Sequence, residues 1–224
     1  TDFGDCSSAT YNASACSNGI NDRGVVSLGI ITDSNDSNVL EYVTISSTGN
    51  ATDFGDMTVL CSYGGGTSNG INDRGIILRG NSTGGGVTFN NHIEYITISS
   101  TGNSTDFGDL TEAKHGLSGT TSNGTSDRAV VGGGVNSSAK VNVIEYFTIS
   151  STGNATDFGD LSNTHKYVGA ASNGTGDRAV WSGGFDATVN VMEYVTISST
   201  GNATDFGDST ASGMSQGVSN AGGN

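Results

Sequence analysis

The 224-residue chain has no proline, one tryptophan, three cysteines and only 8 lysines and arginines against 22 aspartates and glutamates, a formal net charge of −14. Each shortage excludes something. Phosphate binding needs clustered Lys and Arg, so nucleic acid is not an expected partner. No apolar run approaches the roughly 18 residues of a membrane span, so no membrane-spanning helix is expected. Cys6, Cys16 and Cys61 are an odd set without metal-ligand spacing and make no disulfide framework, although a Cys6–Cys16 bridge stays open. Glycine is abundant, at 36 residues, but has no three-residue period, which excludes collagen. No stretch repeats its apolar residues every 3.6 positions over a helical length. Thr1 opens the chain without Met or a signal-peptide pattern, and the reading expects a fragment of something longer.

What the chain has is repetition. Thr-Asp-Phe-Gly-Asp starts at Thr1, Thr52, Thr105, Thr156 and Thr204, at spacings of 51, 53, 51 and 48. Glu-Tyr-x-Thr-Ile-Ser starts at Glu41, Glu94, Glu145 and Glu193, and Ser-Asn-Gly-x-x-Asp-Arg at Ser17, Ser68, Ser122 and Ser172. The markers keep their order, giving units at about 1–51, 52–104, 105–155 and 156–203 and the opening of a fifth at 204–224. Each unit reads as four short strands. In the third unit these are a weak strand at 114–119, then 128–131, then the β-branched and aromatic 143–149, then one around 157–160. The third strand carries apolar residues on both faces (Val39, Val43 and Ile45 on one, Leu40 and Tyr42 on the other), which predicts burial on two sides. The fold expected is all-β, with four-stranded antiparallel blades of about 50 residues in a β-propeller; a linear β-repeat array is the alternative.

The order of a basic residue, a short apolar strand, Gly-Gly, a Tyr-bearing strand and a last-strand aromatic resembles kelch repeats. It reads Arg128, Val130-Val131, Gly132-Gly133, Tyr146, Phe158, and again Arg178, Val180-Trp181, Gly183-Gly184, Tyr194, Phe206. Phe stands where that family has Trp, and the first two units have Ser27-Leu28-Gly29 and Leu78-Arg79-Gly80 in place of the double glycine. The phrase Thr-Ile-Ser-Ser-Thr-Gly-Asn-Ala-Thr-Asp-Phe-Gly-Asp is similar to long kelch-like repeat proteins predicted as virion components of marine tailed phages, cyanophages included. That resemblance implies a virion tail fibre or other structural appendage.

Candidate sites are repeated ones. The pairs Asp53/Asp56, Asp106/Asp109, Asp157/Asp160 and Asp205/Asp208 could hold calcium, a cation that takes carboxylate oxygens, but their spacing fits no known calcium loop. The competing reading, a carboxylate capping each turn, suits a feature present in every unit. Arg23, Arg74, Arg128 and Arg178 lead the second strands while Glu41, Glu94, Glu145 and Glu193 lie in the third, which predicts one Arg–carboxylate pair per unit in a structural role. His115 and His165, each seven residues before Ser-Asn-Gly, fall at one repeat position shared with Thr10 and Cys61; His92 stands alone. Sequons at Asn50, Asn103, Asn154 and Asn202 lie in the repeated Gly-Asn-x-Thr turn and would be glycan sites in a secreted protein.

No nucleophile elbow, phosphate loop or dinucleotide fingerprint occurs, no catalytic residue is nominated, and no cofactor is implied beyond the calcium alternative. A constant frame with segments that differ between units at 57–67, 80–92 and 133–142 predicts a structural and adhesive module recognising a surface ligand such as a glycan. Its partners would be other copies or other subunits of an appendage, and its location the virion. The alternative is a secreted glycoprotein of an extracellular filament or sheath; a polysaccharide-active enzyme ranks third.

Overall fold

The computed structural model describes residues 1–31, 35–70, 72–81, 88–174, 176–185, 190–210 and 213. Among them the chain is all strand and turn, with no helix. Sequence segments 80–92 and 204–224 fall partly outside the described residues.

Four antiparallel sheets follow one another. The first contains β1 (Thr10–Tyr11), β2 (Ser14–Cys16), β3 (Arg23–Ser27), β4 (Ile30–Ile31), β5 (Asn35–Thr44) and β6 (Thr52–Cys61); its spine runs β2-β3-β5-β6, and β4 carries β1 on the early end of β5. The second is β7 (Gly65–Thr67), β8 (Arg74–Leu78), β9 (Asn90–Thr97) and β10 (Thr105–Lys114). The third is β11 (Thr120–Ser122), β12 (Arg128–Gly132), β13 (Val141–Thr148) and β14 (Thr156–His165). The fourth is β15 (Gly169–Ala171), β16 (Arg178–Ser182), β17 (Val191–Thr196) and β18 (Thr204–Asp208).

Two strand expectations shift. The first strand of the third unit is Thr120–Ser122, not 114–119, and Lys114 closes β10 instead. The last strand is longer than its pentapeptide because it follows its partner to the far end: Lys114 lies opposite Asn90 after a shift in register. The sheets are also out of phase with the sequence units. From the second copy on, each Thr-Asp-Phe-Gly-Asp closes the sheet begun by the preceding unit, so β6, β10, β14 and β18 are fourth strands, while the copy at Thr1 lies in no strand.

Alternation along each strand divides its side chains between two neighbours. In β12, Ala129 and Val131 join Ile76, Leu78, Ile93 and Phe107 of the second sheet, while Val130 joins Trp181, Val195 and Ile197 of the fourth. Between the first and second sheets, Val25, Leu40 and Phe54 meet Ile77, Ile96 and Ile98. Three apolar cores thus lie between four sheets packed face to face, and the two middle sheets are buried on both sides as the third-strand pattern predicts. Full burial of such side chains, at about 25 cal/mol per Å² of apolar surface, is the main source of stability available to thin strands.

Each core receives one phenylalanine from the fourth strand of the preceding sheet. The register between third and fourth strands slips at Phe107 and between Ile144 and Glu145, a β-bulge that turns the ring toward the next sheet. Phe107 meets Phe147 edge-on at 5.3 Å and Tyr95 at 6.2 Å.

Candidate binding face

The repeated residues build the contacts between sheets. At each of the three junctions between successive sheets, the Phe-Gly-Asp of one fourth strand bonds to the Gly-Asn turn of the next sheet. Gly102 N donates to the Phe54 carbonyl (2.7 Å), Ser104 N to the Asp56 carbonyl (2.9 Å), and Asp56 N to Asn103 Oδ1 (3.0 Å). The same trio joins Phe107 and Asp109 to Gly153, Asn154 and Ala155, and Phe158 and Asp160 to Gly201, Asn202 and Ala203. The intervening glycine permits the approach. Gly108 has φ +146°, and a Cβ there would sit 2.4 Å from the Gly153 carbonyl oxygen.

The Asp pairs therefore join the lacing largely through their backbone. Among the described residues no three His, Cys, Asp or Glu side chains gather as a metal site. In the end copies Asp2 and Asp205 accept their own turn amides, from Gly4 (3.3 Å) and Gly207 (2.8 Å). Asn50, Asn103, Asn154 and Asn202 are exposed, each with its Oδ1 held by an Asp amide.

The predicted Arg–Glu pairing gives way to a different arrangement. Arg128 lies opposite Thr148 and Glu145 opposite Val131, three positions apart along the ladder. Each repeated guanidinium instead covers the tyrosine of the neighbouring strand: Arg23 over Tyr42, Arg74 over Tyr95, Arg128 over Tyr146 and Arg178 over Tyr194, at 4.2–4.5 Å from the ring centre. Arg23, Arg74 and Arg128 also donate to the carbonyls of Ile98, Ile149 and Ile197 in the next sheet, at 3.0–3.2 Å.

The repeated glutamates are buried and accept from the hydroxyl-bearing residue six positions into each Thr-Asp-Phe-Gly-Asp repeat. Ser7 N donates to Glu41 (3.2 Å), Thr58 N to Glu94 (3.2 Å), Thr111 N to Glu145 (2.5 Å) and Ser162 N to Glu193 (2.7 Å). Each of the last three has a different basic side chain beside it: Arg79 at 3.5 Å, Lys114 at 2.5 Å and His165 at 3.8 Å. His165 is therefore the counterpart of Lys114 and Cys61, and His115 is not; an extra residue in the third unit misaligns a count made backward from Ser-Asn-Gly. His92 bonds Asp109 at 3.1 Å. Cys6, Cys16 and Cys61 are free thiols, and burial pushes Cys16 and Cys61 up to about 12.

The feature that sequence reading missed lies beyond the fourth strands. The residue eleven positions into each repeat, Asn12, Tyr63, Gly116 or Tyr167, has a left-handed backbone, with φ of 55°, 55°, 76° and 57°. Glycine and asparagine adopt this readily; a bulky tyrosine there costs on the order of 1–3 kcal/mol. Both strained tyrosines face one aromatic cluster. Tyr63, Tyr167 and Phe89 surround His115 with ring centres 5.4–6.2 Å away, and Phe185 meets Tyr167 at 6.3 Å. Lys166 lies over Phe185 at 4.7 Å and over Tyr167 at 5.3 Å. Backbone bonds from Gly116 N to the Tyr63 carbonyl (2.9 Å) and from Tyr167 N to the Gly116 carbonyl (3.1 Å) fix the loops relative to one another.

This ridge is half-buried, with Phe185 exposed at its end. Burial and then the Lys166 charge hold the His115 imidazole below its usual value, and burial beside Tyr63 pushes the Tyr167 phenol up to about 12. Near neutral pH the ridge is thus a neutral aromatic surface with one ammonium at its edge. Comparison with models of known protein families gives no match, and no curated protein matches the sequence.

Proposed function

We propose that the protein is a structural and adhesive repeat module of a virion appendage, binding surface glycan through the ridge of Tyr63, Phe89, His115, Tyr167 and Phe185. The sheets are read as blades fanned about an axis in a kelch-like propeller. The observation that carries the binding reading is the pair of left-handed tyrosines: strain that the frame meets elsewhere with glycine is kept where it presents an aromatic ring. Flat aromatic faces stack on the apolar face of a pyranose, and a neutral histidine, two phenols and an ammonium can hydrogen-bond its hydroxyls. Binding, not catalysis, is the activity such a surface supports.

Titration of the 224-residue chain with host-type polysaccharides tests the reading. Tyr167→Ala and Phe185→Ala are expected to weaken binding about tenfold or more, the loss of one stacked ring. Absence of binding across a broad glycan array, or binding indifferent to both substitutions, would overturn it. The exposed Asn50, Asn103, Asn154 and Asn202 favour one second reading, a secreted glycoprotein of a filament or sheath. An intact mass that falls on deglycosylation would select it.

A further inference from the structure

The seven tyrosines are not equivalent. Tyr42, Tyr95, Tyr146 and Tyr194 each lie under an arginine and edge-on to a phenylalanine, and Tyr11 is 51% exposed. Tyr63 and Tyr167 meet each other. Among the described residues theirs is the one contact between two phenol rings, with centres 5.7 Å apart and planes at 45°. At that separation the ring edges are in or near van der Waals contact.

The fold brings this pair together from two repeats apart. Tyr63 stands in the turn before β7 and Tyr167 in the turn before β15, so the two belong to the entries of the second and fourth sheets. The matching turn of the third sheet lies between them and offers Gly116, whose amide donates to the Tyr63 carbonyl and whose carbonyl accepts from Tyr167 N. A Cβ at Gly116 would stand 3.3 Å from the Tyr167 ring, so a glycine there leaves the rings free to meet across it. Both tyrosines are half-buried, held by left-handed backbone on one side and open to small solutes on the other.

We infer that Tyr63 and Tyr167 are the site of an oxidative cross-link, a carbon–carbon bond between their rings, made when the protein meets a one-electron oxidant with peroxide as the electron sink. Each phenol gives up one electron and its phenolic proton. The two radicals couple at ring carbons next to the oxygens, and the hydrogen on each coupled carbon moves to the neighbouring oxygen, restoring both phenols. The pair loses two hydrogen atoms in all, and hydrogen peroxide takes them up as its O–O bond breaks to give two waters. The Tyr167 phenol, pushed up to about 12, keeps its proton at neutral pH, so that proton leaves with or after the electron. His115 is a base in position to receive it: its imidazole is neutral near pH 7, its ring centre lies 5.9 and 6.2 Å from the two phenol rings, and its buried Nδ1 has no hydrogen-bond partner. The product joins the second sheet to the fourth across the third, and a link that closes so long a loop restricts the unfolded chain. This inference stands apart from glycan binding, which it neither needs nor excludes.

Treatment of the intact 224-residue chain with hydrogen peroxide and a small haem peptide tests it. Expected is a monomeric product lighter by two hydrogen atoms, with biphenol fluorescence, whose protease digest contains one linked peptide joined at residues 63 and 167. Tyr63→Phe and Tyr167→Phe keep the ring and its packing, and each abolishes that product; Tyr11→Phe leaves it unchanged. In denaturant the yield of the 63–167 link falls about tenfold or more, since the fold no longer holds the rings together. Links at other tyrosines, links between copies only, or none in a chain that keeps its β-sheet circular dichroism overturn the proposal. So does a yield that is equal in the folded and the denatured chain.

Discussion

At one end of β6, β10 and β14, Phe-Gly-Asp meets a Gly-Asn turn through the same three hydrogen bonds, as residues 3–5 meet Gly49, Asn50 and Ala51, the Asp amide to Asn Oδ1 distance staying at 3.0–3.1 Å. Beyond the other end of β6, β10 and β14, Tyr63, Gly116 and Tyr167 share a left-handed backbone, as Asn12 does at the same repeat position, while their side chains differ. Side chains are constant at the first end because geometry leaves no substitute: a glycine at φ near +145° against a carbonyl, and an amide of one length. At the second end the backbone bonds between loops need no particular side chain, so the side chains differ from unit to unit. The constant contacts between sheets and the variable aromatic ridge thus lie at opposite ends of the same ten-residue strands.

The buried basic side chains beside the glutamates are the sharpest place to break this division, because they are variable residues that touch a constant one. Lys114→Met leaves Glu145 buried without its cation and is expected to lower unfolding free energy by about 3–5 kcal/mol. Lys114→Met with Glu145→Gln is expected to recover much of it in denaturant titrations. A single substitution that proved neutral would show that Thr111 alone satisfies the carboxylate. Gly108→Ala attacks the constant end, where strain and the carbonyl contact should cost about 1–3 kcal/mol. The same change at Gly207, whose Cβ would meet open space, should cost less, and equal losses would refute the role given to the contact. Asn154→Ala removes one hydrogen bond and should cost about 1 kcal/mol by thermal unfolding.

The smallest effect belongs to the ridge. His115 has its folded value depressed, so the neutral imidazole contributes stability above the unfolded value and loses it as pH falls through the folded one. Stability of the ridge should fall as pH drops below about 6.5, and so should the glycan binding proposed for it. His115→Phe should flatten that dependence.

Much of the frame was legible in the sequence. Three markers in fixed order defined the unit, and the apolar third strand announced burial on two faces. That holds for β9 and β13 in the middle sheets but not for the strand it was read from, where Leu40 is buried while Val39 and Val43 are half-buried and Ile45 is exposed. What lay out of reach were partners one whole unit apart. Glu145 and Arg128 look like a pair because both are constant and charged, yet the register puts Tyr146 beside the guanidinium and Thr111 of the earlier repeat beside the carboxylate. The ridge was hidden for the opposite reason, since only Tyr63 and Tyr167 share a repeat position, while Phe89, His115 and Phe185 come from positions with no period. One signal was present: Asn and Gly alternate with Tyr at the eleventh place, and two residues tolerant of a left-handed backbone mark a turn that forces it.

The turn that receives a strand and the strand that enters the next turn are contiguous in the chain, in stretches 44–56, 97–109, 148–160 and 196–208. A crossover between any two of these near-identical stretches deletes or duplicates one full repeat. Every junction in the product is then one that already exists, with its glycine, its asparagine and its phenylalanine in place. The gene can therefore change the length of the array in steps of one unit without inventing a new interface, and a population of such genes is expected to differ in whole repeats and not in fractions of them.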